Sequence, residues 1–582
     1  MDIITVLSQE LSVPQTQIES AVKLMDEGNT IPFIARYRKE VTGGLDDTIL
    51  RNLEERLHYL RNLEKRKQEV LELIAASGKL DDKQMEQMQK ALEEVKMLSE
   101  VEDLYRPYKQ KRKTRASVAR EKGLEPLAKF MLMQKPGGDL EQEAARYVNA
   151  EKGVEDVEQA LSGAGDILAE EISDSAQIRS RLREYLQKNA QISTTKGIKE
   201  NQIYDMYSEY SESVRRIAPH RILAIDRGER EEALKVSVEI DQQVCIGMIE
   251  NQVIHRNSPF AKALHEVCED SFKRLIFPSL ERELRAQLTE KACAQAIGVF
   301  SENLKNLLMQ PPVKGCVTMG FDPAYRTGCK IAVVDETGKV LDTTVVYPTP
   351  PQNRTEQAKQ VLGSLIEKYG VTVIAIGNGT ASKESEIFVA ELLSELNPKL
   401  EHKVSYMVVS EAGASVYSAS KLGAEEFSQF DVSLRSAVSI ARRLQDPLAE
   451  LVKIDPKAIG VGQYQHDMPP KEMDAALGGV VEDCVNKVGV DLNTASQSLL
   501  SYVAGINAAV AKNIVLYREE NGSFTKRSQL LSVSKLGKKA YEQCAGFLRV
   551  SESENPFDHT GVHPESYEAA KQLLTLCGYQ MQ

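Results

Sequence analysis

The stretch Leu499–Gly546 reads LLSYVAGINAAVAKNIVLYREENGSFTKRSQLLSVSKLGKKAYEQCAG and contains one short pattern twice. Each copy has an apolar helix end, a tight turn with Gly505 or Gly537, and a new helix. Glycine adopts backbone conformations that other residues resist. It also lets a phosphate approach the N–H groups that begin the next helix. The pattern predicts a phosphate-binding surface, although a helical bundle with glycine connectors would show similar spacing.

The two copies and the linking YREENGSF resemble the tandem helix-hairpin-helix domain of DNA-uptake and repair proteins. That family binds the sugar-phosphate backbone without reading the base sequence. Asn507 stands where the family usually has a second glycine, and Asn tolerates the left-handed backbone region better than most residues. We therefore expect the turn to survive. The resemblance implies nucleic-acid binding by Gly505, Asn507, Lys512, Gly537, Lys538 and Lys539.

Composition limits the classes of protein to which the chain can belong. Its 582 residues predict several domains, and its formal charge of -12 excludes a polycation. Any contact with nucleic acid must therefore use local basic patches. The 8 cysteines form no C-x-x-C pair or metal-like spacing, which favours reduced thiols in a cytoplasmic protein. The beginning, MDIITVLSQEL, does not resemble a signal peptide, and no apolar run is long enough for a membrane span.

The densest basic run of the chain lies in its helical N-terminal part, in DLYRPYKQKRKTRASVAR. Tyr105 and Tyr108 lie directly before the run. Basic residues together with aromatic ones can hold a phosphate backbone and stack a base. Most charge runs are merely solvated, so both interpretations stay open. The candidate contacts are Lys109, Lys111, Arg112, Lys113 and Arg115.

Beyond residue 200 the pattern first becomes mixed, with short β-like runs around Leu223 and over Leu234 to Ile240. The paired prolines of QPPVKG, at Gln310–Gly315, then form a clear linker. The strands predicted after it are GCVTMGFD, KIAVVD, VLDTTVVYP, VTVIAIG and VSYMVVS, with helices over Arg354–Tyr369, from about Lys383, and over Asp431–Leu444. Three strands, helix, strand, helix, strand, helix is the order of the RNase H fold.

Three carboxylates of this region are candidate catalytic and metal-binding residues. GFDPAYRTG resembles the opening of the YqgF branch of RNase H-like proteins, which is close to Holliday-junction resolvases. The resemblance assigns Asp322, Glu411 and Asp431 to a cleft that could bind Mg²⁺ for phosphodiester hydrolysis. Asn378 stands where resolvases have a further glutamate, and Glu384 could replace it only by bending back. We therefore expect a vestigial site, a chain that is not an enzyme, and no required cofactor.

Blocks along nearly the whole chain resemble the Tex family of bacterial transcription accessory proteins. They include IPFIARYRKE, APHRILAIDRGE, GFDPAYRTGCKIAVVD, IGNGTASKESE and RRLQDPLAELVKIDPKAIGVGQYQHD. The family normally ends in an S1 domain of OB type, for which there is no room before Gln582. We therefore expect a shortened or truncated chain in which RNA affinity is the property most in doubt.

The sequence thus predicts a multidomain, mainly α protein with a central α/β RNase H-like domain. The predicted segments are a helical region with a helix-turn-helix-like element (1–200), a mixed region (201–312), the YqgF-like domain (313–455), a linker and helix (456–490), the tandem helix-hairpin-helix (491–556) and the start of a helical segment (557–582).

The leading functional hypothesis is a non-catalytic accessory factor that binds RNA or DNA without sequence preference. We expect it to work in the cytoplasm near RNA polymerase or the ribosome, with no membrane partner. The alternatives are a Mg²⁺-dependent nuclease or resolvase and a protein-interaction scaffold in transcription or translation. Composition and motifs do not decide between RNA and DNA.

Overall fold

A computed structural model describes residues 2–579, so residues 580–582 of the predicted segment 557–582 lie outside the described residues. The chain forms two compact units. One comprises the chain up to Gln15 together with Leu53–Gln295, and the other comprises Thr16–Asn52 together with the chain from Ala296 onward. No helix within residues 2–579 combines the length and the apolar character of a membrane span.

The described chain is helical up to Asn189, so the predicted helical region 1–200 extends too far, because β1 (Gln191–Lys196) lies within it. The long helix α5 has a seam of leucines at Leu50, Leu53, Leu57 and Leu60, and all four are buried. The helices are α1 (Ile3–Leu11), α2 (Gln15–Asp26), α3 (Ile31–Tyr37), α4 (Lys39–Thr42), α5 (Asp47–Ala76), α6 (Asp82–Glu94), α7 (Leu98–Tyr105), α8 (Arg115–Glu121), α9 (Glu125–Met133), α10 (Leu140–Ala145), α11 (Val157–Asp174) and α12 (Ala176–Asn189).

The region after α12 mixes strands and helices. An antiparallel sheet in the order β2-β1-β3 consists of β1 (Gln191–Lys196), β2 (Glu209–Ser213) and β3 (Leu234–Glu239). The strand expected around Leu223 is wrong, because that residue lies in a helix that begins at Pro219 and buries the run Ile222–Ile225. The helices here are α13 (Pro219–Arg230), α14 (Gln242–Val253), α15 (Ala261–Asp270) and α16 (Phe277–Leu308).

The predicted RNase H-like domain is confirmed as a five-stranded sheet in the order β6-β5-β4-β7-β8. Its strands are β4 (Thr318–Asp322), β5 (Cys329–Val334), β6 (Val340–Val346), β7 (Val373–Gly377) and β8 (Ser405–Val409). The first three are antiparallel, and β7 and β8 continue parallel to β4. The helices are α17 (Thr355–Tyr369), α18 (Ser382–Leu396), α19 (Ala414–Ala419), α20 (Lys421–Glu426), α21 (Val432–Gln445) and α22 (Pro447–Leu451).

Both faces of this sheet are covered, which explains why β4, β5 and β7 read as continuous apolar runs. Phe321 and Ile374 face the helices α17 and α18 in one core. Ala332 and Val334 face Ala437 and Val438 of α21 in the core on the other side. Asp322, two residues after Gly320 on β4, therefore lies on the α21 face at the carboxyl end of the strand.

The C-terminal part is again helical, with a two-residue parallel pair between β9 (Val490–Asp491) and β10 (Leu548–Arg549). The helices are α23 (Pro470–Val488), α24 (Gln497–Leu500), α25 (Ala508–Asn521), α26 (Lys538–Cys544) and α27 (Tyr567–Leu576). The first predicted hairpin is α24, a turn and α25. The second is a 3₁₀ helix at Arg527–Ser532, a turn and α26.

Candidate functional site

The turn of the first hairpin is fixed by the close packing of Gly505. Its φ is +78°, and a Cβ there would lie 2.5 Å from the Cβ of Gln543 and 3.1 Å from the carbonyl oxygen of Ala540. Asn507 then begins α25 in an extended conformation, with φ at -94°, and its side chain accepts a hydrogen bond from the N–H of Val510 at 3.0 Å. The turn forms without a left-handed conformation at Asn507, because Gly505 adopts that conformation and Asn507 is the N-cap.

The second hairpin has the same backbone but exchanged residue types. Lys535 carries the positive φ, at +67°, in the position that corresponds to Gly505. Gly537 corresponds to Asn507 and begins α26 with φ at -83°, so it does not need the conformational freedom that we assigned to it. A Cβ at Gly537 would meet no atom within 4 Å. This glycine leaves open space rather than permitting a turn.

The two hairpins therefore present different helix starts to solvent. The start of α25 is capped by the Asn507 side chain, whereas α26 has no side-chain cap. The first N–H groups of a helix have no partner within the helix and carry partial positive charge. At Gly537 these groups face open space, and the neighbouring Lys535 and Lys538 side chains are exposed. The second hairpin is thus the better anion-binding surface.

The remaining predicted lysines of the hairpins differ in their surroundings. Lys512 is exposed on the first turns of α25. Lys539 is also exposed, but its ammonium group donates a hydrogen bond to the carbonyl oxygen of Glu27. It therefore joins the second hairpin to the loop after α2 and contributes less free charge than Lys538.

The basic run before α8 is divided by its ion pairs. Lys111 donates to the carboxylate of Asp174 at 2.5 Å and lies 3.6 Å from Glu170, so its charge is compensated. Burial raises the pKa of Asp166, and the positive charges of Arg274 and then Arg115 oppose this shift. The other four cations of the run, Lys109, Arg112, Lys113 and Arg115, are exposed and take part in none of the ion pairs among residues 2–579.

The structure brings two of the three predicted carboxylates together. Asp322 is half-buried, and burial together with the negative charge of Glu411 raises its pKa to about 6. A hydrogen bond with Ser436 and the charge of Lys330 oppose this shift. Glu411 lies over the end of β7. A Cβ at Gly377, the last residue of that strand, would lie 2.7 Å from Oε2 of Glu411.

Lys330 supplies a positive charge to this cleft. It is paired with Asp322 in the register of β4 and β5 and is buried. Its ammonium donates to the Thr327 hydroxyl at 2.5 Å and to the carbonyl oxygen of Gly328 at 2.8 Å. Its charge lowers the pKa of both Asp322 and Asp431, among other causes. A fixed cation thus lies where carboxylates alone were predicted.

Asp431 and the amide at 378 have local structural roles. Asp431 caps α21, and its Oδ1 accepts from the N–H of Leu434 at 2.9 Å and from the Ser433 hydroxyl at 2.7 Å. These bonds hold its pKa below the ordinary value. Asn378 accepts from the N–H of Glu411 at 3.0 Å and so joins the ends of β7 and β8. Glu384 accepts from the Tyr325 hydroxyl at 2.8 Å, which occupies one of its carboxylate oxygens.

These donors do not fit a pair of Mg²⁺ ions. Two-metal hydrolysis requires several free carboxylate oxygens around both ions. Here Asp431 caps a helix, the charge of Lys330 acts on Asp322 and Asp431, and an amide replaces the fourth carboxylate. Among the described residues 2–579, no three His, Cys, Asp or Glu side chains are grouped as metal ligands.

Sequence reasoning missed two residues of these sites. Lys330 was visible as a basic residue that begins an otherwise apolar strand, which indicates a special partner. Lys535 was visible as the residue that replaces Gly505 when the two hairpins are aligned.

Family models match most of the chain. They are the Tex-like protein N-terminal domain (residues 1–75), the Tex central region-like domain (135–300), the Tex protein YqgF-like domain (316–445), the helix-hairpin-helix motif (485–549) and an HHH domain (555–582).

Curated relatives align over nearly the full chain. The protein YdcI of Bacillus subtilis (strain 168) is 50% identical over 577 residues, covering 98% of this chain and 79% of the relative. The transcriptional accessory protein Tex of Neisseria gonorrhoeae is 47% identical over 587 residues, covering 99% of this chain and 76% of the relative. The human S1 RNA-binding domain-containing protein 1 is 37% identical over 643 residues, covering 99% of this chain and 64% of the relative.

Proposed function

The chain belongs to the Tex family of transcription accessory proteins, and from this premise we propose that it binds nucleic acid through its phosphate backbone, without sequence preference and without cleaving it. The observation that carries the proposal is the open, uncapped start of α26 at Gly537, next to the exposed Lys535 and Lys538. Backbone N–H groups and lysines recognise phosphates, which are the same in every sequence. Binding should therefore be general and sensitive to salt.

The relatives support this proposal by name. The Neisseria gonorrhoeae relative is called a transcriptional accessory protein, and the human relative is named for an S1 RNA-binding domain. From these names we infer that this chain is an accessory factor. We propose that it contacts RNA or DNA in the cytoplasm, near RNA polymerase or the ribosome. The negative charge of the whole chain favours local contacts over a general affinity for polyanions.

We also propose that the RNase H-like domain is a binding or structural element, with no resident metal. The support is the charge arrangement of the cleft, where Lys330 compensates carboxylates and Asn378 supplies no charge. A nuclease remains the second candidate because Asp322 and Glu411 do lie together beside a basic residue. A protein-interaction scaffold is the third, and it predicts no nucleic-acid binding at low salt.

The salt dependence of binding tests the contribution of the basic run. We expect the double charge reversal Arg112→Glu and Lys113→Glu to weaken binding and to reduce the slope of log K against log salt by about 1 to 2. With fewer phosphate contacts, fewer counterions are released on binding. The measurement is fluorescence anisotropy with a labelled single strand at several salt concentrations.

The control is the double reversal Lys65→Glu and Lys90→Glu on the exposed faces of α5 and α6, which changes the net charge equally. It should leave the slope near that of the parent. A slope that is the same in the Arg112 and Lys113 variant as in the parent would show that the run is only a solvated surface.

A further inference from the structure

Two arginines from distant parts of the sequence place their guanidinium groups side by side. A Cβ at Gly561 would lie 2.5 Å from Nη2 of Arg36 and 3.2 Å from Nη2 of Arg549. Arg36 belongs to α3, and Arg549 ends β10 after the hairpins. Both groups therefore approach the same point beside Gly561, and a side chain at this position would displace them.

Each guanidinium group is anchored on its other side. Nη1 of Arg36 donates to the carbonyl oxygen of Asn486 at 3.2 Å, and Nη1 of Arg549 donates to that of Gly546 at 2.7 Å. Gly489 also leaves room for this guanidinium group, because a Cβ at position 489 would lie 2.7 Å from Nη2 of Arg549. These bonds fix the orientation of both forks before any ligand binds.

The segment that carries Gly561 is itself held rigidly. The buried Arg527 donates to the carbonyl oxygens of Asp558 at 3.0 Å, Thr560 at 2.8 Å and Val562 at 2.9 Å. The hydroxyl of Tyr37 donates to the carbonyl oxygen of Gly561 at 3.0 Å. The convergence of the two forks is therefore part of the packed structure rather than a chance meeting of long side chains.

No carboxylate compensates these charges within the described residues, because neither Arg36 nor Arg549 forms an ion pair there. Asp558 accepts instead from the N–H of Arg527 and from the hydroxyls of Ser553 and Tyr567. Burial, and then the positive charges of Arg527 and Arg36, lower the pKa of Arg549 to about 10. By contrast, the neighbouring Arg38 is paired with Glu542 at 2.7 Å and Glu565 at 3.2 Å.

We propose that Arg36 and Arg549 form a phosphate-binding site beside Gly561, separate from the hairpin surface at Gly537. Two adjacent guanidinium groups without a counter-ion are unfavourable unless an anion binds between them. A single carboxylate is saturated by one fork, whereas a phosphate has enough oxygens to accept from both at once. Arg36 is exposed, so the site is reachable from solvent.

Titration calorimetry with inorganic phosphate at fixed ionic strength tests the site. The parent should bind phosphate saturably, and Arg36→Gln and Arg549→Gln should each weaken binding by about tenfold or more, because each removes one charged fork. Gly561→Ala should do the same, since its Cβ fills the point where the Nη2 atoms meet. Arg38→Gln should bind like the parent, because that arginine is already paired.

Absence of saturable phosphate binding in the parent, or unchanged affinity in Arg36→Gln, would overturn the proposal. Arg36→Gln alone decides the matter if Arg549→Gln does not fold, since Arg36 is exposed. Gly537→Asp should retain phosphate binding here, so failure of this site and failure of the hairpin proposal are distinguishable.

Competition with short strands identifies the source of the phosphate. A single strand with and without a 5′-phosphate is titrated against bound inorganic phosphate. Equal competition by both strands assigns the site to backbone phosphates, and competition by the phosphorylated strand alone assigns it to a terminal phosphate. Competition by neither assigns it to a small phosphate-bearing ligand.

Discussion

Replacing Gly537 with Asp should lower the affinity for single-stranded and double-stranded nucleic acid by about tenfold or more, since hydrogen bonds to charged groups each contribute about 1.5–3 kcal/mol. The aspartate would cap α26, occupy the N–H groups that we assign to a phosphate, and repel the phosphate. The fold should tolerate it, because position 537 is extended and open. Fluorescence anisotropy at low salt measures the loss.

The matched control is Asn507→Asp, which adds the same charge at the equivalent position of the first hairpin. Because α25 is already capped by Asn507, this substitution should weaken binding less than Gly537→Asp does. Equal losses of affinity in the two variants would mean that the missing cap at α26 does not make it the better phosphate-binding helix start. Substitution of Gly505 is not a suitable probe, since a side chain there would strain the turn and collide with Gln543.

Asp322→Asn should increase the free energy of unfolding at pH 7 by up to about 3 kcal/mol, which is the value of a shift of about two pKa units. The folded-state pKa of Asp322 is raised from 3.8 to about 6 by burial and by Glu411. Between pH 3.8 and about 6 the unfolded chain therefore binds fewer protons than the folded chain. The free energy of unfolding falls as the pH rises through that window. The amide removes this penalty and can still accept from Ser436.

The pH dependence distinguishes this effect from a general one. The gain from Asp322→Asn should be complete above pH 6 and should disappear near pH 4, as measured by urea unfolding at several pH values. Asp431→Asn should act in the opposite direction, because hydrogen bonds to Leu434 and Ser433 hold the pKa of Asp431 low and its contribution is lost as the pH falls. A destabilised Asp322→Asn variant at pH 7 would contradict our description of the cleft.

The sequence predicted the RNase H-like domain nearly strand by strand. Apolar runs such as VTVIAIG are bounded by turn residues, and strands buried on both faces read in this way. The run around Leu223 looks similar but is helical, because a short apolar run does not distinguish a strand from a buried helix. Packing against neighbouring elements decides between the two.

The details of the sites depend on contacts between distant residues. The sequence shows that Asn507 replaces a glycine, but the position of positive φ follows from the packing of Gly505 on Gln543. The lysine in the cleft follows from the register that pairs Asp322 with Lys330. The meeting of Arg36 and Arg549 beside Gly561 joins residues that are more than five hundred positions apart in the sequence, and no local pattern predicts it.

The central claim is binding to the phosphate backbone without cleavage, and one assay tests it most directly. Labelled single-stranded and double-stranded RNA and DNA of unrelated sequences are incubated with the chain at low salt, with and without Mg²⁺ or Mn²⁺, and both binding and strand length are measured. We expect similar affinity for unrelated sequences, loss of binding as salt increases, and intact strands under all conditions. Absence of binding at low salt, or metal-dependent cleavage that disappears in Asp322→Asn, would contradict the claim.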